Sequence, residues 1–149
     1  MKKRKDQYVD LDNARGEEYI ALLNQIIEDG VCPFCDNNIE KYGNVILRQT
    51  GHWIIIKNKN PYPGRKTQIM AISKVHAETL SDLSDEASLD LIRLMQSVAI
   101  GQNVAGGAMA MRFGDTKKSG ATVRHLHAQL IEPEDNTFVT FHIGYEKEK

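Results

Sequence analysis

Cysteine is scarce in this chain, and what there is sits together: among 149 residues only Cys32 and Cys35 are cysteines, two residues apart. So close a pair fits a metal site or a redox pair in a reducing compartment better than it fits a disulfide framework. The chain must therefore hold itself together by burying a core, for which its length suffices. An excess of charge of one sign is also missing. With 19 basic and 20 acidic residues the net charge is -1, which gives no bulk attraction for nucleic acid or an anionic membrane. No apolar run approaches the ~20 residues needed to span a bilayer. The basic start, Met1 to Asp6, is not followed by an apolar stretch, so it is not expected to act as a secretory signal. Internal repeats and linkers are absent too. With 41% apolar residues, disorder is not expected. These features predict one soluble, cytoplasmic domain over residues 1–149, with charged ends near 1–6 and 145–149 that are expected to be mobile.

The spacing of Tyr19, Leu22, Leu23, Ile26 and Ile27 predicts a helix from near Asn13, stopped at Gly30. Cys32-Pro33-Phe34-Cys35 reads as a tight turn. Strands are expected over Asn44–Arg48, His52–Lys57, Thr67–Ile72, Ala108–Phe113 and Val123–Ile131, with a sixth extended segment at Thr137–Ile143. Ser84 is a fitting N-cap, with Asp85 and Glu86 in the first turn of a long helix. That helix carries Leu91, Leu94, Met95, Val98 and Ala99 on one stripe and is expected to end by Gly106-Gly107. Strand pairs flanking one long helix predict an α+β fold with a mostly antiparallel sheet of five to six strands and a shorter N-terminal helix.

His125-Leu126-His127-Ala128-Gln129-Leu130 is the most informative stretch. On a strand, alternate residues share a face, so His125, His127 and Gln129 line one side and Leu126, Ala128 and Leu130 the other. The apolar set can pack on a core; the polar set needs a metal, a ligand or water. Just upstream, Ser119-Gly120-Ala121-Thr122 offers small residues and hydroxyls whose backbone N–H groups can cradle an anion. A neutral imidazole beside such a loop can act as a nucleophile that carries a phosphoryl-type group.

The run from Gly120 to Leu130 resembles the histidine-triad signature, with Gln129 in place of the third histidine. This His-x-His-x-Gln form is similar to that of the galactose-1-phosphate uridylyltransferase and dinucleoside-polyphosphate phosphorylase branches. Asn58 to Tyr62 and Ile72 to His76 resemble the nucleotide-side loop, strand and histidine, so the resemblance covers about Cys32 to Pro133. It implies a histidine-triad fold with His127 as nucleophile. It also makes Thr122 the hydroxyl that contacts phosphate and Asn58 a ribose-side residue. The nucleotide-binding set expected is Asn58, Ser119, Gly120, Ala121, Thr122 and Val123. Gly114-Asp115 and Ala121 replace the family's asparagine and glutamine, leaving Ser119, Lys117 and Lys118 to compensate.

The cysteine pair is open to two readings from its residues alone, redox or half of a zinc site. It follows an expected helix rather than a strand, which favours zinc, with His76 and His125 as further ligands. The resemblance implies the same four, Cys32, Cys35, His76 and His125, holding a structural zinc. His52 and His142 belong to no motif.

The expected activity is two-step nucleotidyl transfer. His127 attacks the α-phosphate of a nucleoside polyphosphate, nucleotide sugar or phosphoramidate, and the nucleotide then passes to phosphate, another acceptor or water. Gln129 cannot exchange a proton near neutral pH, which favours phosphate-bearing acceptors over water. The resemblance also implies a homodimer. Two other readings stand beside the enzyme: a zinc-stabilised nucleotide-binding module with little turnover, and a Cys-x-x-Cys thiol redox protein.

Overall fold

The computed structural model describes residues 7–146; the basic residues Lys2 to Arg4 and the last three residues of the charged tail lie outside them. Five strands, β1 (Ile46–Gln49), β2 (Trp53–Lys57), β3 (Arg65–Ser73), β4 (Ala108–Met111) and β5 (His127–Pro133), form one sheet in the order β1-β2-β3-β5-β4. All four pairings are antiparallel. The helices are α1 (Glu17–Asp29), α2 (Asn38–Lys41), α3 (Asp85–Gly101) and α4 (Thr116–Ser119).

Strand alternation decides what each face meets. Trp53, Ile55, Ile69, Ala71, Ala128 and Leu130 form one buried cluster with Leu91, Leu94, Met95 and Val98 of α3. The Trp53 indole donates to the Ala87 carbonyl at 2.8 Å, tying β2 to the first turn of that helix. Ser84 caps α3 as expected, its hydroxyl accepting from Ala87 N–H at 3.1 Å. The other face carries Ile56, Met70 and Ile72, covered by Ile39 of α2 and by Phe34. Leu23 and Ile26 of α1 join Val9, Tyr42 and Val123 in a third cluster beside it.

Several boundaries move for identifiable reasons. α1 starts at Glu17, not near Asn13, because Leu11–Asn13 closes a 3-10 turn on the Asp10 side chain. The Asn13 amide is also committed to the Thr116 and Ala121 carbonyls. α3 stops at Gly101, short of the expected Gly106-Gly107, where the chain turns through Asn103 at φ 52°. β5 begins at His127, not Val123: Arg124 N–H is taken by the Tyr8 carbonyl and Leu126 N–H by the Ala77 carbonyl, so these two N–H groups bond outside the ladder. The polar loop after β4 contains α4, capped by Asp115. The expected sixth strand at Thr137–Ile143 does not form; the segment instead meets Tyr62, in the loop before β3, through Phe141, and Arg112, just past β4, through the His142 carbonyl. The sheet therefore has five strands among the described residues.

Candidate functional site

Two centres meet at the start of β5. The first gathers Cys32 and Cys35 from the turn after α1, His76 from the loop after β3, and His125 just before β5. One ligand atom from each lies within 4.8 Å of all the others. Cys32 Sγ is 3.4 Å and Cys35 Sγ 3.6 Å from His125 Nδ1; Cys35 Sγ is 3.2 Å from His76 Nδ1. The two Nδ1 atoms are 3.2 Å apart. Around a tetrahedral ion with metal–sulfur bonds of ~2.3 Å and metal–nitrogen bonds of ~2.0–2.1 Å, nitrogens sit about 3.3 Å apart and nitrogen and sulfur about 3.6 Å apart. These four separations lie close to that spacing.

The chemistry of the donors points the same way. His125 Nε2 donates to the Ser73 carbonyl at 2.6 Å, and His76 Nε2 faces the Glu78 carboxylate at 3.5 Å. Each ring thus turns the lone pair of its Nδ1 inward. Two lone pairs facing each other beside two sulfurs repel unless a cation lies between them, and the outer acceptors set the ligating nitrogen. Burial pushes His125 down to about 4, so its ring is neutral and ready to ligate. Burial also pushes the Cys32 thiol up to about 12 and raises that of Cys35. A reactive redox cysteine needs the opposite shift, so the environment argues against the thiol redox reading. These residues can hold a metal.

The second centre is His127. Its Nδ1 lies 2.7 Å from the carbonyl oxygen of His125. That carbonyl can only accept, so Nδ1 carries the proton and Nε2 keeps a free lone pair. Burial pushes His127 below the ordinary histidine value; the His125 carbonyl opposes this and the positive charge of Arg112 adds to it. The ring is therefore neutral at physiological pH. Phe34 stands edge-on between the two histidines, with centroids 5.8 Å from His125 and 5.2 Å from His127. Gln129, two residues on, is buried on the same face. Its Oε1 accepts from Asn58 Nδ2 and from Gln68 Nε2, both at 3.2 Å. Two donors on the oxygen leave the amide NH2 as the group Gln129 can present. Asn58 is thus brought to the β5 row, and Gln68 is a further partner there that the sequence did not suggest.

The small-residue stretch before the histidines is more engaged than expected. Gly120 N–H is taken by the Thr116 carbonyl and Ala121 N–H by the Ser119 hydroxyl. Ser119 is itself buried, and Thr122 Oγ1 is 2.8 Å from the Tyr19 hydroxyl. Among the described residues no partner takes the N–H groups of Thr122 and Val123, so these two donors remain of the cradle. Lys117 and Lys118 are exposed on α4. Arg112, whose charge bears on His127, is not marked by any local sequence signal; it lies one residue past the pairing of Met111 with Ala128, which only the β4–β5 register sets.

No helix among the described residues is long and apolar enough to cross a membrane. No family model and no curated protein matches the chain. Solved structures do. A HIT family hydrolase from Clostridium thermocellum is 24% identical, over 71% of this chain and 93% of that one, with a TM-score of 0.56. A Zn-bound histidine triad family protein from Mycobacterium smegmatis is 19% identical over 75% and 81%, with a TM-score of 0.59. A histidine triad nucleotide-binding protein from Candida albicans is 17% identical over 80% and 85%, with a TM-score of 0.62. With its five-stranded antiparallel sheet, and with His125 and His127 at the head of β5, this chain has the histidine-triad fold.

Proposed function

We propose that the protein is a nucleotide-binding enzyme that passes a nucleotide through a covalent nucleotidyl-histidine on His127, within a single domain stabilised by a structural zinc. The observation that carries this reading is the bond from His127 Nδ1 to the His125 carbonyl. It presents a neutral ring with a free Nε2, the form in which imidazole is a nucleophile. Nε2 attacks the α-phosphorus; a P–N bond forms as the bond to the leaving group breaks. An acceptor oxygen then forms a P–O bond as the P–N bond breaks and His127 recovers its lone pair. The free N–H groups of Thr122 and Val123, with the hydroxyl of Thr122, are the donors assigned to the phosphoryl oxygens; Ser119, Gly120 and Ala121 shape that turn, and Asn58 is assigned to the sugar side.

Gln129 holds a fixed amide beside His127 and supplies hydrogen bonds without a titrating proton. That supports leaving groups and acceptors that need none, so phosphate or a phosphate-bearing acceptor is preferred to water. Cys32, Cys35, His76 and His125 are the assigned zinc ligands, and a Zn-bound protein of the same fold supports the choice of ion. When bound, zinc supplies a closed four-ligand anchor and no chemistry of its own. A cysteine pair kept out of a disulfide so that it can ligate zinc suits a reducing, cytoplasmic setting. The open edge of β4 supports a homodimer, which sedimentation would test.

Intact-mass spectrometry at mildly alkaline pH tests the mechanism. The protein and His127→Ala are each mixed with diadenosine polyphosphate, nucleotide sugars and adenosine phosphoramidate. A nucleotide-sized mass gain on the unmodified protein alone is expected. Nucleotide binding by both proteins with neither adduct nor product would replace the enzyme with a zinc-stabilised binding module.

A further inference from the structure

We infer that Arg112 is the cation that receives the nucleotide's phosphoryl oxygens beside His127; this rests on the nucleotidyl-histidine reading above and deepens it. β4 and β5 pair with Ala108 opposite Ile131, Met109 opposite Leu130, Ala110 opposite Gln129 and Met111 opposite Ala128. One further step in that register sets Arg112 opposite His127. Directly opposed residues of antiparallel neighbours project from the same face with Cβ atoms ~4.5–5.5 Å apart. His127 is thus flanked by Ile72 on the β3 side and by Arg112 on the β4 side.

The guanidinium is held for such a role. Nε donates to the His142 carbonyl at 2.9 Å, Nη2 donates to the same oxygen, and Nη1 donates to the Tyr62 hydroxyl at 3.2 Å. The Phe141 ring covers its face, with the centroid 3.8 Å from Cζ. An arginine side chain has five N–H donors. Three are in use, and one on each terminal nitrogen has no partner among the described residues. Two N–H groups on a planar fork suit two oxygens of one phosphoryl group. The need is equally plain: Phe34, which packs on His127, and Gln129, two residues along the same face, with its partners Asn58 and Gln68, carry no charge, whereas a nucleotide's phosphates do. The segment containing Phe141 and His142, which forms no strand, positions Arg112.

The test is equilibrium binding, which requires no turnover. The protein, Arg112→Gln and Arg112→Lys are titrated calorimetrically with adenosine 5′-monophosphate and adenosine, and with the guanosine pair. The unmodified protein is expected to prefer the monophosphate. Arg112→Gln should cut that preference at least about tenfold, the lower end for a charge-assisted hydrogen bond, with nucleoside affinity unchanged. Arg112→Lys keeps the charge but loses the fork and should fall in between; it decides the matter if Arg112→Gln does not fold. An unmodified protein with no preference for monophosphate, a preference unchanged in the variants, or an equal loss for nucleoside and monophosphate overturns the assignment. A preference that falls in Arg112→Gln while the unmodified protein forms neither adduct nor product sinks the catalytic reading and leaves the phosphate site standing.

Discussion

Replacing Cys32 by serine removes one zinc ligand from the assigned set while changing the side chain by a single atom. Cys32 is 4% exposed, so the site cannot recruit bulk water freely in its place, and a serine hydroxyl does not ionise at neutral pH. Zinc at a hundredfold excess over its Kd adds about 2.7 kcal/mol to the stability of a folded state that alone binds it. For a domain of this size each kcal/mol moves Tm by about 2–4 °C. Zinc should therefore raise the unmodified protein's Tm by about 5–11 °C over the same protein in chelator. If the variant binds a hundredfold more weakly, the same zinc contributes about 0.4 kcal/mol, about 1–2 °C. Thermal melts of both proteins in zinc and in chelator measure the two differences. Comparing differences cancels any cost of the serine itself, and zinc content per chain is read in parallel. The effect should reach catalysis, because the carbonyl that orients His127 belongs to the ligand His125. Equal zinc-dependent shifts with equal zinc content in the two proteins would refute the four-ligand assignment.

Three further outcomes are expected. Gln129→His should gain hydrolysis relative to transfer when products are partitioned with and without phosphate; an unchanged partition removes the role given to Gln129. Glu132 is held below the ordinary carboxylate value of 4.5, first by the Ala105 N–H, with the Thr67 hydroxyl and Lys66 adding to it. A depressed folded-state pKa contributes stability that is present above the unfolded value and is lost as pH falls through the folded one. The Tm of Glu132→Gln should thus lie below that of the unmodified protein at pH 6 and converge with it towards pH 3; parallel curves would show that the carboxylate's charge is not what matters. Gly120 sits at φ +78°, and a Cβ there would lie 2.6 Å from the Gly144 carbonyl oxygen. Gly120→Ala should cost at least the ~1–2 kcal/mol of a left-handed L-residue, read as a lower denaturation midpoint in urea; a midpoint equal to that of the unmodified protein would refute the close approach.

Much of the architecture was legible because it is written in short-range pattern. The alternation of Ala128 and Leu130 against His127 and Gln129 assigns opposite faces of β5, and the structure puts the first pair against α3. Ser84 as a cap, Gly30 as a left-handed stop and the apolar stripe of α3 are local matters of hydrogen bonding and helical period. The sequence by itself also determined that two closely spaced cysteines could not staple the fold and that a histidine row would need partners. It could not set the start of α1, since the Asn13 amide is bound by carbonyls more than a hundred residues away. Nor could it place Thr137–Ile143, which has strand-like composition but meets Arg112 and Tyr62 rather than a free sheet edge. The convergence of Cys32 and His125, 93 residues apart, and the seating of Arg112 opposite His127 were decided by tertiary structure alone. Both depend on which strands pair and in what register, and register follows from burying one face of the whole sheet at once, not from any single segment.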